Sequence, residues 1–205
     1  MSSYLEGRKH VLITVHPLKF QVFYPLLRQG VQVDVRLGIS IQDLLQHDLH
    51  ISEDIIDQKI QCLFLDGHPV DDLRNTIVSE GSVLSLSAAM PGLVGACFRR
   101  QGVYAGLRQS ISIGDNQFQK RRHKIGLIDL KLFNCMAALL GPILLGQGVL
   151  VQVRQLTDLL RQAFKREDSG IDSLQVNGTL HHFEQTNLLD RFPNQGKVFL
   201  QVTCV

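Results

Sequence analysis

The sequence predicts an α+β protein, and three observations carry that expectation. Residues 31–36, Val-Gln-Val-Asp-Val-Arg, alternate apolar and polar with a period of two, as a strand with one buried face must. Residues 40–46, Ser-Ile-Gln-Asp-Leu-Leu-Gln, place a capping serine three positions before an acid and set Ile41, Leu44 and Leu45 on one helical face. Residues 61–65 form an apolar run of strand length that ends at Asp66-Gly67, a pair suited to a type I′ hairpin turn because both central residues need positive φ. Strand pair, helix and hairpin, in that order, describe a sheet curled around one helix.

The remaining elements follow from the same periodicities. Glu80-Gly81 marks a second turn, leading into residues 82–87, where Val83, Leu84 and Leu86 are interleaved with serines. Two readings stand for the second half. In one, it is a diverged copy of the first: residues 26–36 echo 144–154, Asp43-Leu44-Leu45 echoes Asp158-Leu159-Leu160, Asp66-Gly67 matches Asn177-Gly178, and 81–84 matches 196–199, with gaps. In the other, a helix over 129–140 breaks at Gly141-Pro142 and is followed by a helix near 156–165 and a terminal hairpin. Both end alike, with 198–203 alternating as a paired strand.

Composition bounds the function. In 205 residues, 44% are hydrophobic and 20% charged, enough to bury a core and unlike a disordered tail. The net charge of +2 excludes a uniformly basic nucleic-acid coat and an acidic solvating tail, so any charge-driven function must be local. The cysteines at 62, 97, 135 and 204 form no C-x-x-C pair and no zinc spacing, so reduced thiols are expected. Residues 10–15 are too brief for the apolar core of a secretory signal. Residues 132–153 carry no charge and are long enough to span a bilayer, which takes about 20 residues. The run nevertheless holds Asn134, Gln147, Gln152 and the Gly141-Pro142 break, so a buried helix in a cytoplasmic protein is expected, with no membrane partner.

Residues 61–72, Gln-Cys-Leu-Phe-Leu-Asp-Gly-His-Pro-Val-Asp-Asp, together with Ile77 and the Gly-Ser-Val-Leu-Ser-Leu of 81–86, resemble the second half of a ubiquitin-like β-grasp domain. The resemblance covers residues 20–90. It implies an N-terminal β-grasp domain at 1–94; composition and periodicity add a basic, glycine-containing connector at 95–124 and a second α+β domain at 125–205 that ends in a β-hairpin. Ubiquitin-like modifiers and sulfur carriers react through a free C-terminal Gly-Gly. Here the matching strand runs on into Met90-Pro91-Gly92, and the last residues are Thr203-Cys204-Val205. With no glycine carboxylate to adenylate, the resemblance implies the fold and a sheet that binds another protein, without conjugation chemistry.

The connector concentrates charge: Arg99, Arg100, Arg108, Lys120, Arg121, Arg122 and Lys124 stand against Asp115 alone. Its glycines let backbone approach a ligand closely, and successive amides in such turns can form an anion nest. Tyr104 and Phe98 offer stacking faces. The candidate anion-binding set is therefore Gly95, Arg99, Arg100, Gly102, Tyr104 and Arg108, for phosphate, nucleotide or RNA. The competing reading pairs these arginines with the acids of the first half, among them Glu53, Asp54, Asp57, Asp71 and Asp72. Neither a Walker loop nor G-x-G-x-x-G after a strand is present.

Catalytic candidates are few. Cys97 beside two arginines has cations that favour its thiolate, but His68 and His123 are only nominal partners. His181 and His182 would point to opposite faces of a strand and cannot share a metal from it. The Asn177-Gly178-Thr179 sequon reads as a turn, and Asp71-Asp72 as solvated turn acids. No catalytic residue, metal or cofactor is expected. The expected function is a non-catalytic protein-interaction or scaffold module, its partner another protein. The alternative is an anionic ligand, nucleic acid included, held by residues 95–124 of either a binding protein or an enzyme.

Overall fold

The computed structural model describes residues 9–100, 102–104, 124–165, 170–181 and 195–204. In chain order the first elements are β1 (His10–Val15), a 3-10 turn (Pro17–Phe23), α1 (Tyr24–Gln29), β2 (Val31–Arg36), and α2 (Ile41–Asp43), which widens into a π turn over Leu44–Asp48. Then come α3 (Glu53–Gln58), β3 (Cys62–Leu65), β4 (His68–Pro69), β5 (Val83–Ser87) and α4 (Gly92–Phe98). The rest are β6 (Ile125–Leu132), α5 (Met136–Gln147), β7 (Val149–Gln152), α6 (Val153–Phe164), β8 (Ile171–Val176), β9 (Thr179–His181) and β10 (Lys197–Cys204). The chain divides into two compact units, residues 33–140 and residues 1–32 with 141–205. Both are mixed α+β, the class expected from the sequence.

In residues 33–140 the strand order is β4-β3-β5-β6-β2. The β3–β4 hairpin turns at Asp66 and Gly67, whose φ values of +52° and +82° are the left-handed conformations that the Asp-Gly pair accepts. Asp66 Oδ1 accepts from the Val83 amide at 2.7 Å and so fastens the turn to the start of β5. β5 runs antiparallel to β3 and parallel to β6, with Val83 opposite Asp129 and Leu86 opposite Leu132. At the head of α2, Ser40 Oγ accepts from the Asp43 amide at 3.0 Å, satisfying a donor that the first helical turn leaves free. Ile41, Leu44 and Leu45 are wholly buried with Leu84, Leu86, Ile128 and Leu130. The π turn ends at Asp48, which accepts from Arg36 Nε and from the Arg36 amide, both at 2.7 Å. That clamp ties the helical segment to the far end of β2.

The helix expected over 129–140 with a break at Gly141-Pro142 does not form. Residues 125–132 alternate wet and buried positions as strand β6, and α5 starts at Met136 and runs through Pro142. Proline there forfeits the hydrogen bond to the carbonyl of Ala138, a residue on the exposed side of the helix.

In the other unit the order is β7-β10-β1-β8-β9. β1 lies parallel to β10, from His10 opposite Phe199 to Val15 opposite Cys204, and antiparallel to β8. β10 is antiparallel to β7, and β8 turns into β9 at Asn177 and Gly178, with φ of +51° and +80°. α6 buries Leu156, Leu160 and Ala163. Gly148 has φ of +98°, and a Cβ there would strike the Phe199 ring. The unit bounds differ from the segments at 1–94 and 125–205 because β1 joins C-terminal strands and β6 joins β5. No described helix is long and apolar enough to cross a membrane.

Candidate functional site

Residues 33–140 carry a cleft of about 570 Å³ whose walls come from three stretches of chain. α3 contributes Glu53 and Asp57, the turn after β4 contributes Asp71, Asp72 and Arg74, and the end of α4 contributes Arg99 and Arg100. The amides of Gln42 and Gln61 line it too, with Ile60 and Leu73 as apolar lining.

Local structure fixes each wall. Glu53 and Asp57 are four residues apart on α3, so they share a helix face. Asp72 folds its carboxylate back on the chain, accepting from the amides of Arg74 at 3.0 Å and Asn75 at 3.1 Å and from Asn75 Nδ2 at 2.6 Å. The Asn75 side-chain bond, aided by the two backbone amides and the Arg74 charge, outweighs burial and holds this carboxyl below its ordinary value. Thr76 Oγ1 donates to the Asp72 carbonyl at 2.6 Å, which closes the turn. On the third wall, the Phe98 ring packs tilted on Phe64, 5.4 Å between centroids, and seats α4 on β3. A Cβ at Gly95 would collide with the Met90 carbonyl, so α4 can only start this close to the chain before it with glycine at 95.

Arg100 is tied to the end of α3 and the residues just beyond it. Its Nη1 donates to the carbonyls of Ile56 and Ile60, 3.2 Å each, and its amide donates to the Gln61 carbonyl at 2.7 Å. These carbonyls lie at and just beyond the end of α3, where a helix leaves acceptors without intrahelical donors, so the guanidinium acts as a C-terminal cap from a distant segment. Burial lowers its pKa from the ordinary arginine value, with the charges of Asp57 and Asp71 opposing. Arg100 Nε and Gln61 Oε1 are buried with no hydrogen-bond partner.

Of the residues expected to bind an anion, Arg99 and Arg100 share this cleft. Gly95 serves the packing of α4, Gly102 closes a turn through its amide to the Arg99 carbonyl at 3.2 Å, and Tyr104 is exposed and does not line the cleft. Arg108 lies outside the described residues, as do Lys120, Arg121, Arg122, His123 and His182. Lys124 sits 3.4 Å from Glu80. Four of the acids offered as partners for the arginines, Glu53, Asp57, Asp71 and Asp72, line the same cleft, and Asp54 does not. Gln42, Gln61 and Arg74 were not expected at a site: Gln42 and Gln61 lay inside segments read only as helix and strand, and Arg74 lay three residues past Asp71.

The cleft therefore sets four carboxylates beside three guanidinium groups. A ligand of one sign meets like charge on part of the wall, whereas a surface of mixed sign can complement both. Among the described residues no group of His, Cys, Asp and Glu side chains is arranged to hold a metal ion. In the other unit, a second concavity of about 600 Å³ lies along α1 and α6; its polar lining includes Gln21, Gln29, Gln155 and Gln162. Compared with protein-family models, curated proteins and solved structures, the chain gives no match.

Proposed function

We propose that this chain is a non-catalytic protein-interaction module that engages another protein through the mixed-charge cleft of residues 33–140. The observation that carries the reading is the meeting of Glu53, Asp57, Asp71 and Asp72 with Arg74, Arg99 and Arg100 in one concavity. Charge complementarity of that kind selects partners and orients encounter more than it adds raw affinity. The scaffold in this reading is a β-grasp. The order β2-β6-β5-β3-β4, with parallel β5 and β6 and a helix after β2, supports it, β6 taking the place of the opening strand. The other unit is a diverged copy in this reading, supported by α6 after β7 and by the like backbone of the Asp66-Gly67 and Asn177-Gly178 turns. A cytoplasmic setting is supported by the reduced thiols of Cys62, Cys97, Cys135 and Cys204.

The test is affinity capture with the full chain and with a quadruple variant, Glu53→Gln, Asp57→Asn, Arg74→Gln and Arg99→Gln. One protein enriched by the wild type and lost with the variant is the expected result. Identical captured sets would reject the cleft as the interaction surface.

The second reading is an anionic ligand, favoured by the three arginines and by the unpartnered Nε of Arg100. Nucleotide or RNA affinity that falls steeply with salt would support it. The facing carboxylates make it the weaker of the two.

A further inference from the structure

Building on the protein-interaction reading, we propose that the cleft selects a peptide segment that carries both signs of charge, a basic side chain seated against Glu53 and Asp57 and an acidic one against Arg74. Several of the charges in the cleft are already engaged within the protein. Asp72 is engaged by Asn75 and by the amides of Arg74 and Asn75, Arg100 Nη1 by the end of α3, and Asp71 and Arg99 have partners of their own. The carboxylate of Glu53 has no hydrogen bond or ion pair among the described residues, and Asp57 acts on Arg100 only through its field. The Arg74 guanidinium likewise makes no hydrogen bond among the described residues; its charge reaches Asp72 through space.

The groups left over are thus two carboxylates on one face of α3 and a guanidinium from the turn after β4, all lining one cavity. A run of acidic residues would place charge against Glu53 and Asp57. A run of basic residues would meet Arg74, Arg99 and Arg100. Only a segment of alternating sign puts opposite charge on both walls, and about 570 Å³ is within the range that holds a ligand of drug or short-peptide size.

Three capped hexapeptides serve as probes: alternating Lys-Glu, all-Lys and all-Glu. Each is titrated into the full chain at low salt, and amide chemical shifts of α3 and α4 are followed. The alternating peptide is expected to bind about fivefold tighter than either single-sign peptide, the scale of one or two exposed ion pairs, and to weaken as salt rises. The variant Glu53→Gln with Asp57→Asn should shift preference toward all-Glu, and Arg74→Glu toward all-Lys, with thermal midpoints kept close to wild type. Tighter binding of a single-sign peptide to the wild type overturns the proposal, and so does the absence of shifts with all three. If no peptide binds while the quadruple variant still loses the captured partner, the interaction reading stands and this selectivity falls; if capture is indifferent to the quadruple variant, the interaction reading falls with it.

Discussion

Arg100 uses its guanidinium inside the protein as much as toward the cleft. Charge-assisted bonds to the Ile56 and Ile60 carbonyls hold the end of α3, and loss of such bonds costs about 1–3 kcal/mol when acceptors are left buried. Arg100→Ala should therefore lower unfolding stability by an amount in that range. Arg100→Lys should not restore it in full, because the ammonium ends one bond short of Nη1, the single nitrogen that meets both carbonyls. Urea unfolding of the three proteins checks this, and an alanine variant as stable as wild type would show that α3 ends without help from α4. Asp72 gives a pH signature of known sign. Its carboxyl is held below the ordinary 3.8 chiefly by Asn75, so the stabilisation it brings is present above that value and is lost as pH falls through the lower folded value. Asn75→Ala should therefore cost stability at neutral pH, and the gap to wild type should narrow below about pH 4. A gap that stays constant down to pH 2 would remove the carboxylate from the explanation.

Local elements were legible where local chemistry specifies them. Ser40 announces α2, Asp66-Gly67 and Asn177-Gly178 announce two hairpins, and alternation announces β2 and β10, because caps, positive φ and a half-buried face each leave their mark within a few residues. β6 was hidden. Its alternation runs straight into the uncharged stretch that becomes α5, and Gly141-Pro142 suggests an end to a helix that in fact continues. The widening of α2 into a π turn also leaves no sequence mark; the Arg36–Asp48 clamp at its end pairs residues on separate elements. Ser40 offers the cleanest test of the local logic. Its hydroxyl accepts from Asp43 N and donates to Asp43 Oδ2 at 2.8 Å. Ser40→Ala should cost about 0.5–2 kcal/mol, and Ser40→Gly only a few tenths, since glycine still takes the extended cap backbone. Equal stability of the serine and alanine proteins would place the start of α2 under tertiary control.

The cleft was half legible for a reason that belongs to the whole chain. Arg99 and Arg100 stood out as a run, but their companions on the walls come from 42 to 74, and no local pattern tells which distant segments meet. Strand pairing has the same character: β5 lies beside β6, and β1 beside both β10 and β8, across long separations that must be closed before their contacts repay the entropy. β1 is the sharpest case. It has neighbours on both sides, and Val11, Ile13 and Val15 are buried to within 1% of full enclosure. Removing residues 1–15 would therefore strip two rows of hydrogen bonds from β8 and β10 and open the core they share. Residues 33–140 hold a contiguous set of strands and their own buried leucines and isoleucines. Hydrogen exchange on the truncated chain should show the amides of β8 and β10 losing protection by orders of magnitude while those of β3 and β5 keep theirs, since cooperative units open at their own free energies. Loss of protection in both sets together would mean that the two units unfold as one; retained protection in β8 and β10 would mean that β1 is dispensable to the sheet it completes.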